Sequence, residues 1–106
     1  MIHYLYKTTC LPNGKYYYGV HSERRSSDGY IGCGVCSDGT AINLKRKGVK
    51  SYFIDSVVKY GYNNFEKQIV AFFDNINDAF EVEELIVDEN EVNNKKCMNI
   101  RLGGKG

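Results

Sequence analysis

A carboxylate at the centre of an apolar stripe is a chemical problem, and Glu83 poses it. At ~100° per residue, a helix from Ile76 onward brings Ile76, Ala79, Phe80, Ile86 and Val87 within about 60° of Glu83. Glu81 points the other way, Glu84 lies on the flank, and Val82 and Leu85 fall off the stripe, so this helix is apolar on more than one side. A carboxylate among core residues costs stability unless it is paired, hydrogen-bonded or bound to a cation. Either a Lys or Tyr inside the domain answers it, or Glu83 is a functional carboxylate in a cleft. A hard cation such as Mg²⁺ suits the second case, because Mg²⁺ commonly takes one or two carboxylates and keeps several waters.

The other residues with evident chemistry are cysteines. Cys33 and Cys36 have the spacing of half a zinc site, and Cys10 or Cys97 could complete it only if the fold brings them close. Without a second close pair, zinc at Cys33 and Cys36 is the weaker expectation. Two disulfides are arithmetically possible, but nothing else suggests secretion, so reduced thiols or a metal are favoured over them.

The elements that must position these groups follow from patterning. Ile2 to Thr8 (IHYLYKT) has strand composition, Leu11 to Gly14 (LPNG) has turn chemistry, and Lys15 to Val20 (KYYYGV) resumes the strand, which makes an opening β-hairpin. Alternation puts Tyr4 and Tyr6 on one face of the first strand, and Tyr17 and Gly19 on one face of the second. A Gly within a strand marks close approach by a ligand or another backbone. From His21 to Thr40 the chain turns to Ser, Asp, Arg and Gly with no apolar period, a long connection of the kind that is often functional. Ala41 to Lys47 reads as a short helix ending at Gly48. Ser51 to Tyr60 is a helix capped by Ser51, striped by Phe53, Ile54, Val57 and Val58, and stopped at Gly61. Phe65 to Phe73 (FEKQIVAFF) is apolar enough for a third, central strand. Asn75 or Asn77 caps a last helix running to about Asn90. The expected class is α+β, a small three-stranded antiparallel sheet flanked by helices in the order β-β-(α)-α-β-α.

With 106 residues the chain makes one domain, residues 1–106, with a single core. A hydrophobic content of 42% and charged content of 25% are those of globular proteins. Nine Tyr, five Phe and no Trp favour half-buried aromatic surface that also meets polar ligands. Lys plus Arg 14 against Asp plus Glu 13 gives a net charge of +1, so any polyanion must be held by local clusters. The clusters are Arg24 and Arg25; Lys45, Arg46, Lys47 and Lys50; and a tail with Lys95, Lys96, Arg101 and Lys105. No apolar run is long enough to span a bilayer and no signal peptide opens the chain, so the expected place is soluble and cytoplasmic.

The hairpin taken with Glu83 resembles the GIY-YIG nuclease superfamily, above all its small phage and intron-associated homing endonucleases. Ile2-His3-Tyr4 stands where that family has Gly-Ile-Tyr, and Tyr17-Tyr18-Gly19 where it has Tyr-Ile-Gly. Glu83 matches the family's metal-binding Glu, and Asn99 in MNIRLGG its late Asn. Ile2, His3 and Tyr18 depart from the motif while both tyrosines remain. The family's Arg has no clear counterpart, with Arg24, Arg25 and, more remotely, Arg46 as candidates. His21 and the DGYIGCG loop resemble phage-type members, which brings Tyr30 toward the site; Tyr30-Ile31-Gly32 itself is not the hairpin motif.

The resemblance implies a Mg²⁺-dependent (or Mn²⁺-dependent) endodeoxyribonuclease acting on double-stranded DNA. Glu83 then holds the metal, Tyr17 and Tyr4 orient or deprotonate the attacking water, an Arg grips the phosphate, and Asn99 braces the site. His21 can move protons because imidazole titrates near neutrality. Lys45, Arg46, Lys47, Lys50 and Arg101 are the DNA-binding candidates. A second reading is a nucleic-acid-binding module on the same scaffold that does not cut, and a third is a zinc-stabilised structural domain. Site-specific cleavage asks for more recognition surface than this chain offers, whether from a homodimer, a partner or a further domain.

Overall fold

The computed structural model describes residues 1–24, 28–100 and 103. The opening hairpin forms as the composition requires. Strand β1 (Ile2–Cys10) pairs antiparallel with β2 (Tyr16–Glu23). Between them Gly14 N–H donates to the Cys10 carbonyl at 2.8 Å and Lys15 N–H to Asn13 Oδ1 at 2.9 Å, which closes the turn.

Strand β3 (Phe65–Phe73) begins and ends where its composition placed it, but it is not central. The order is β2-β1-β3, so β1 is the middle strand. The reason is visible in burial. Tyr4, Leu5 and Tyr6 are consecutive and all almost wholly buried, so both faces of β1 are covered. Ile69, Val70 and Phe72 of β3 are exposed, and the register shift between Leu5 and Tyr6 leaves Val70 without a partner in a bulge. An apolar run of this kind implies burial on both faces, whereas here it lies at an edge.

Helix α1 (Thr40–Arg46) and helix α2 (Tyr52–Tyr60) follow. The Ser51 hydroxyl accepts from Ile54 N–H at 3.3 Å, and α2 stops at Gly61 with φ 91. Phe53, Ile54 and Val57 enter a core with Cys10, Ile31, Val35, Phe65 and Met98. Helix α3 (Ile76–Ile86) is capped by Asn75 and packs on all the strands. It ends before the expected Asn90, because Asp88 caps a separate turn, α4 (Glu89–Val92), by accepting from Glu91 N–H at 2.9 Å.

The long connection also starts later than the composition suggested, since His21 to Glu23 belong to β2. Residues 96–98 then run beside the outer edge of β2. Tyr16 N–H donates to the Lys96 carbonyl at 2.8 Å and Met98 N–H to the Tyr16 carbonyl at 2.7 Å. The expected class, α+β with a three-stranded antiparallel sheet and flanking helices, is the one observed.

Candidate active site

Strand register decides which side chains meet. Ile2 lies opposite Glu23, Tyr4 opposite His21, Tyr6 opposite Gly19 and Thr8 opposite Tyr17. On the other side of β1, Thr8 lies opposite Lys67. Alternation then collects Tyr4, Tyr6, Tyr17, Gly19, His21, Glu23 and Lys67 on one face. The glycine in β2 answers to Tyr6, since a Cβ on Gly19 would stand 2.3 Å from the Tyr6 hydroxyl. What approaches the backbone here is thus a side chain of the same chain. Tyr6 is 1% exposed and sits between three rings, at 6.1 Å from Tyr4, 6.4 Å from Tyr17 and 5.9 Å from Tyr30.

The glycine-rich loop folds back over this face. Thr8 donates its buried hydroxyl to the Ile31 carbonyl at 2.6 Å. Gly32, at φ 141, lets the backbone pass so close that a Cβ would touch the Tyr17 ring at 3.0 Å. Asp28 accepts from Tyr30 N–H at 2.9 Å through one oxygen and meets His21 Nε2 at 2.7 Å through the other. The Tyr30 ring stacks on the imidazole at 3.8 Å and 5°. His21 is therefore held by a carboxylate at its rim and an aromatic plane on its face.

The polar chain continues inward. His21 Nε2 is 3.7 Å from Glu23 Oε2, the Tyr4 hydroxyl donates to that same oxygen at 3.3 Å, and Lys67 Nζ donates to the Tyr4 hydroxyl at 2.7 Å. Among the described residues, His21, Glu23 and Asp28 are the group of three ligand-type side chains close enough to share a cation, their ligand atoms lying within 4.8 Å of one another. Glu83 is not in that group. It is buried on α3 between Ala79 and Val87, as its stripe required, and its charge is felt at Tyr17.

Burial sets the acidities. It pushes the Tyr17 hydroxyl up, helped by Cys33, Tyr30 and Glu83, and it does the same to Tyr6 and to Tyr4, where Glu23 and Asp28 add to it. These phenols are neutral at physiological pH. For Asp28, burial raises the carboxyl but the hydrogen bonds from His21 and Tyr30 N–H outweigh it, leaving a value of about 2. Burial lowers the Lys67 ammonium, opposed by Glu23 and Asp28.

The remaining expected residues are placed as follows. Asn99 accepts from Tyr18 N–H and donates to the Tyr18 carbonyl, both at 2.9 Å, so its amide acts as a piece of strand on the edge of β2. Arg24 follows β2 directly and is exposed; Arg25 and Arg101 lie outside the described residues. Lys45, Arg46, Lys47 and Lys50 are all exposed at the end of α1 and beyond it, with Lys45 paired to Asp55 at 3.2 Å. The four cysteines are free thiols: Cys33 accepts from the Ser51 hydroxyl at 3.5 Å, Cys36 is exposed, and Cys10 and Cys97 are buried. Among the described residues no cysteine joins a group of three ligand-type side chains.

Tyr6, Glu23, Asp28 and Lys67 were not singled out by their sequence. Lys67 had a signal, because alternation from Phe65 puts it on the inward side of β3. Asp28-Gly29 carried a turn signal, whose use in binding His21 depends on the folded loop.

Over its whole length the chain is 38% identical across 106 residues to "Putative endonuclease segB" of Enterobacteria phage T4, covering 100% of this chain and 41% of the relative. It is also 33% identical over 103 residues to "Endonuclease segA" of the same phage, covering 97% of this chain and 39% of that one. The chain thus spans about two fifths of the length of the curated relatives it matches. No family model matches it, and no solved structure does. No helix among the described residues is long and apolar enough to cross a membrane.

Proposed function

We propose that this chain is a DNA endonuclease domain of the GIY-YIG type that hydrolyses phosphodiester bonds, related in use to phage homing endonucleases. The observation that carries the reading is the joint placement of Tyr6, Tyr17 and His21 on one sheet face, with a single loop folded over it that brings Tyr30 against Tyr6 and His21. The similarity to phage proteins named endonucleases supports it, as does the resemblance of the hairpin and Glu83 to that superfamily.

Phosphodiester hydrolysis needs a positioned water, positive charge opposite the phosphate, and a proton route. Glu83 offers a hard oxygen donor in a buried setting, which fits Mg²⁺ or Mn²⁺. Such an ion, when bound, supplies positive charge for the charge developing on the phosphate. Tyr17 and Tyr6 act as neutral phenols that orient the water, because burial keeps their protons on. Tyr4 serves in this reading as the link between Lys67 and Glu23. His21 takes a proton through Nδ1, its Nε2 being turned to Asp28. Asn99 holds β2 beside Tyr17. Lys45, Arg46, Lys47, Lys50 and Arg101 provide contacts to double-stranded DNA, with a homodimer or a further recognition partner supplying site choice.

A module that binds DNA without cutting is the second reading. Its support is that no arginine among the described residues joins the polar chain around His21, and Arg24 is exposed. Supercoiled plasmid incubated with the protein in Mg²⁺ and in EDTA, beside Glu83→Ala, separates the two. Nicking in Mg²⁺ that EDTA and Glu83→Ala abolish is the expected result. Nicking that survives the substitution, or its absence at every protein concentration, overturns the mechanism.

A further inference from the structure

Among the described residues of the polar chain around His21, Lys67 is a cation that Glu23 and Asp28 influence only from beyond direct ion-pair distance. Lys67 lies on the inward side of β3, half-buried, with its ammonium 4.8 Å from the centre of the Tyr4 ring and 5.9 Å from that of Tyr6. Its hydrogen bond among the described residues goes to the Tyr4 hydroxyl, a neutral group, at 2.7 Å. An ammonium has three hydrogens, so two are left. No described carboxylate comes within ion-pair distance of it. Glu23 receives the Tyr4 hydroxyl, and Asp28 is engaged by His21 and Tyr30 N–H. Removing an ammonium from water without an anion in direct contact is costly, and a phosphate oxygen brought against it makes a charge-assisted hydrogen bond that offsets that cost.

We propose that Lys67 grips the phosphate of the DNA strand at this site. The proposal rests on the endonuclease reading and deepens it. The ammonium is held by the Tyr4 hydroxyl and lies near the rings of Tyr4 and Tyr6, so it is aimed before substrate arrives. Its two remaining hydrogens match two oxygens of a phosphodiester. A Lys serves here as a point charge, where an Arg would need room for its planar fork.

Lys67→Met keeps the apolar stem that packs on the rings and removes the charge. Lys67→Arg keeps the charge. Two measurements are made on the full chain: nicking of supercoiled plasmid in Mg²⁺, resolved into kcat and KM, and binding of a duplex of about 20 base pairs in EDTA over a range of KCl. Loss of one phosphate contact reduces the slope of log affinity against log salt by about 0.9. Lys67→Met is expected to show that change, with a fall in kcat of about 100-fold and an unchanged melting midpoint. Lys67→Arg is expected to keep the wild-type salt slope and to nick more than Lys67→Met.

Wild-type nicking together with a Lys67→Met protein of unchanged slope and kcat overturns the role of Lys67 and leaves the endonuclease reading standing. The reverse pattern, no nicking by any protein but a reduced slope in Lys67→Met, overturns the cutting and supports the phosphate contact. Absence of duplex binding by wild type overturns both. Should Lys67→Met melt early, Lys67→Gln replaces it under the same criteria.

Discussion

Replacing Gly19 by Ala tests whether the strand register really builds the site. The added Cβ would lie 2.3 Å from the Tyr6 hydroxyl oxygen, 2.5 Å from Cζ and 2.8 Å from Cε1. The end of a side chain can usually swing away from such a clash, but Tyr6 is 1% exposed and bounded by Tyr4, Tyr17 and Tyr30. Overpacking a well-filled core costs about 1–3 kcal/mol. The middle of that range lowers the melting midpoint of a domain this size by roughly 8–16 °C. Thermal melts of Gly19→Ala, Tyr6→Leu and the double variant measure it. Leu ends before the clashing atoms, so Gly19→Ala should cost less in the Tyr6→Leu background, with a coupling of about 0.5–3 kcal/mol. A Gly19→Ala protein that melts with wild type, or a double variant that is simply additive, would falsify the packing argument.

Two further substitutions or conditions read other parts of the structure. Asn99→Ala leaves Tyr18 N–H and C=O without their side-chain partners, which should cost about 1–3 kcal/mol and speed exchange of the Tyr18 amide hydrogen; unchanged exchange would contradict the bracing of β2. Burial holds the hydroxyls of Tyr4, Tyr6, Tyr16 and Tyr17 above their ordinary value of 10.0. A folded-state value above the unfolded one gives stability that is present below about pH 10 and lost as pH rises further. The urea midpoint should therefore fall beyond about pH 10, with tyrosinate absorbance from these rings appearing only on unfolding. A flat midpoint through that range would argue against the buried phenols.

Local signals carried much of the fold. Ser51 and Gly61 bound α2 because cap chemistry acts within a few residues, and Phe65 to Phe73 is a strand because its composition is intrinsic. What failed was long-range. Nothing in FEKQIVAFF tells whether one or both of its edges are paired, and β1 became central through partners 19 and 63 residues away in sequence, as the contacts of Tyr4 with Glu23 and Lys67 illustrate. Glu83 was legible from helical period alone. Tyr6 and Tyr4 were placed on one face correctly, yet only the register opposite Gly19 makes Tyr6 the ring beside Tyr17. Asp28 and Lys67 enter the site through a folded loop and a neighbouring strand; a turn signal and strand alternation give their local setting but not the partners they meet.

The outer edge of β2 gives the domain an order of assembly. The strand bearing Tyr17 and His21 is complete early in synthesis, but its edge stays open until residues 96–99 arrive. Asn99 and Tyr18 are 81 positions apart. A loop of that length closes late, after the local helices have formed. This hairpin thus waits, unfinished, for residues 96–99, and a nascent chain lacking them would carry Tyr17 and His21 without the frame that aligns them.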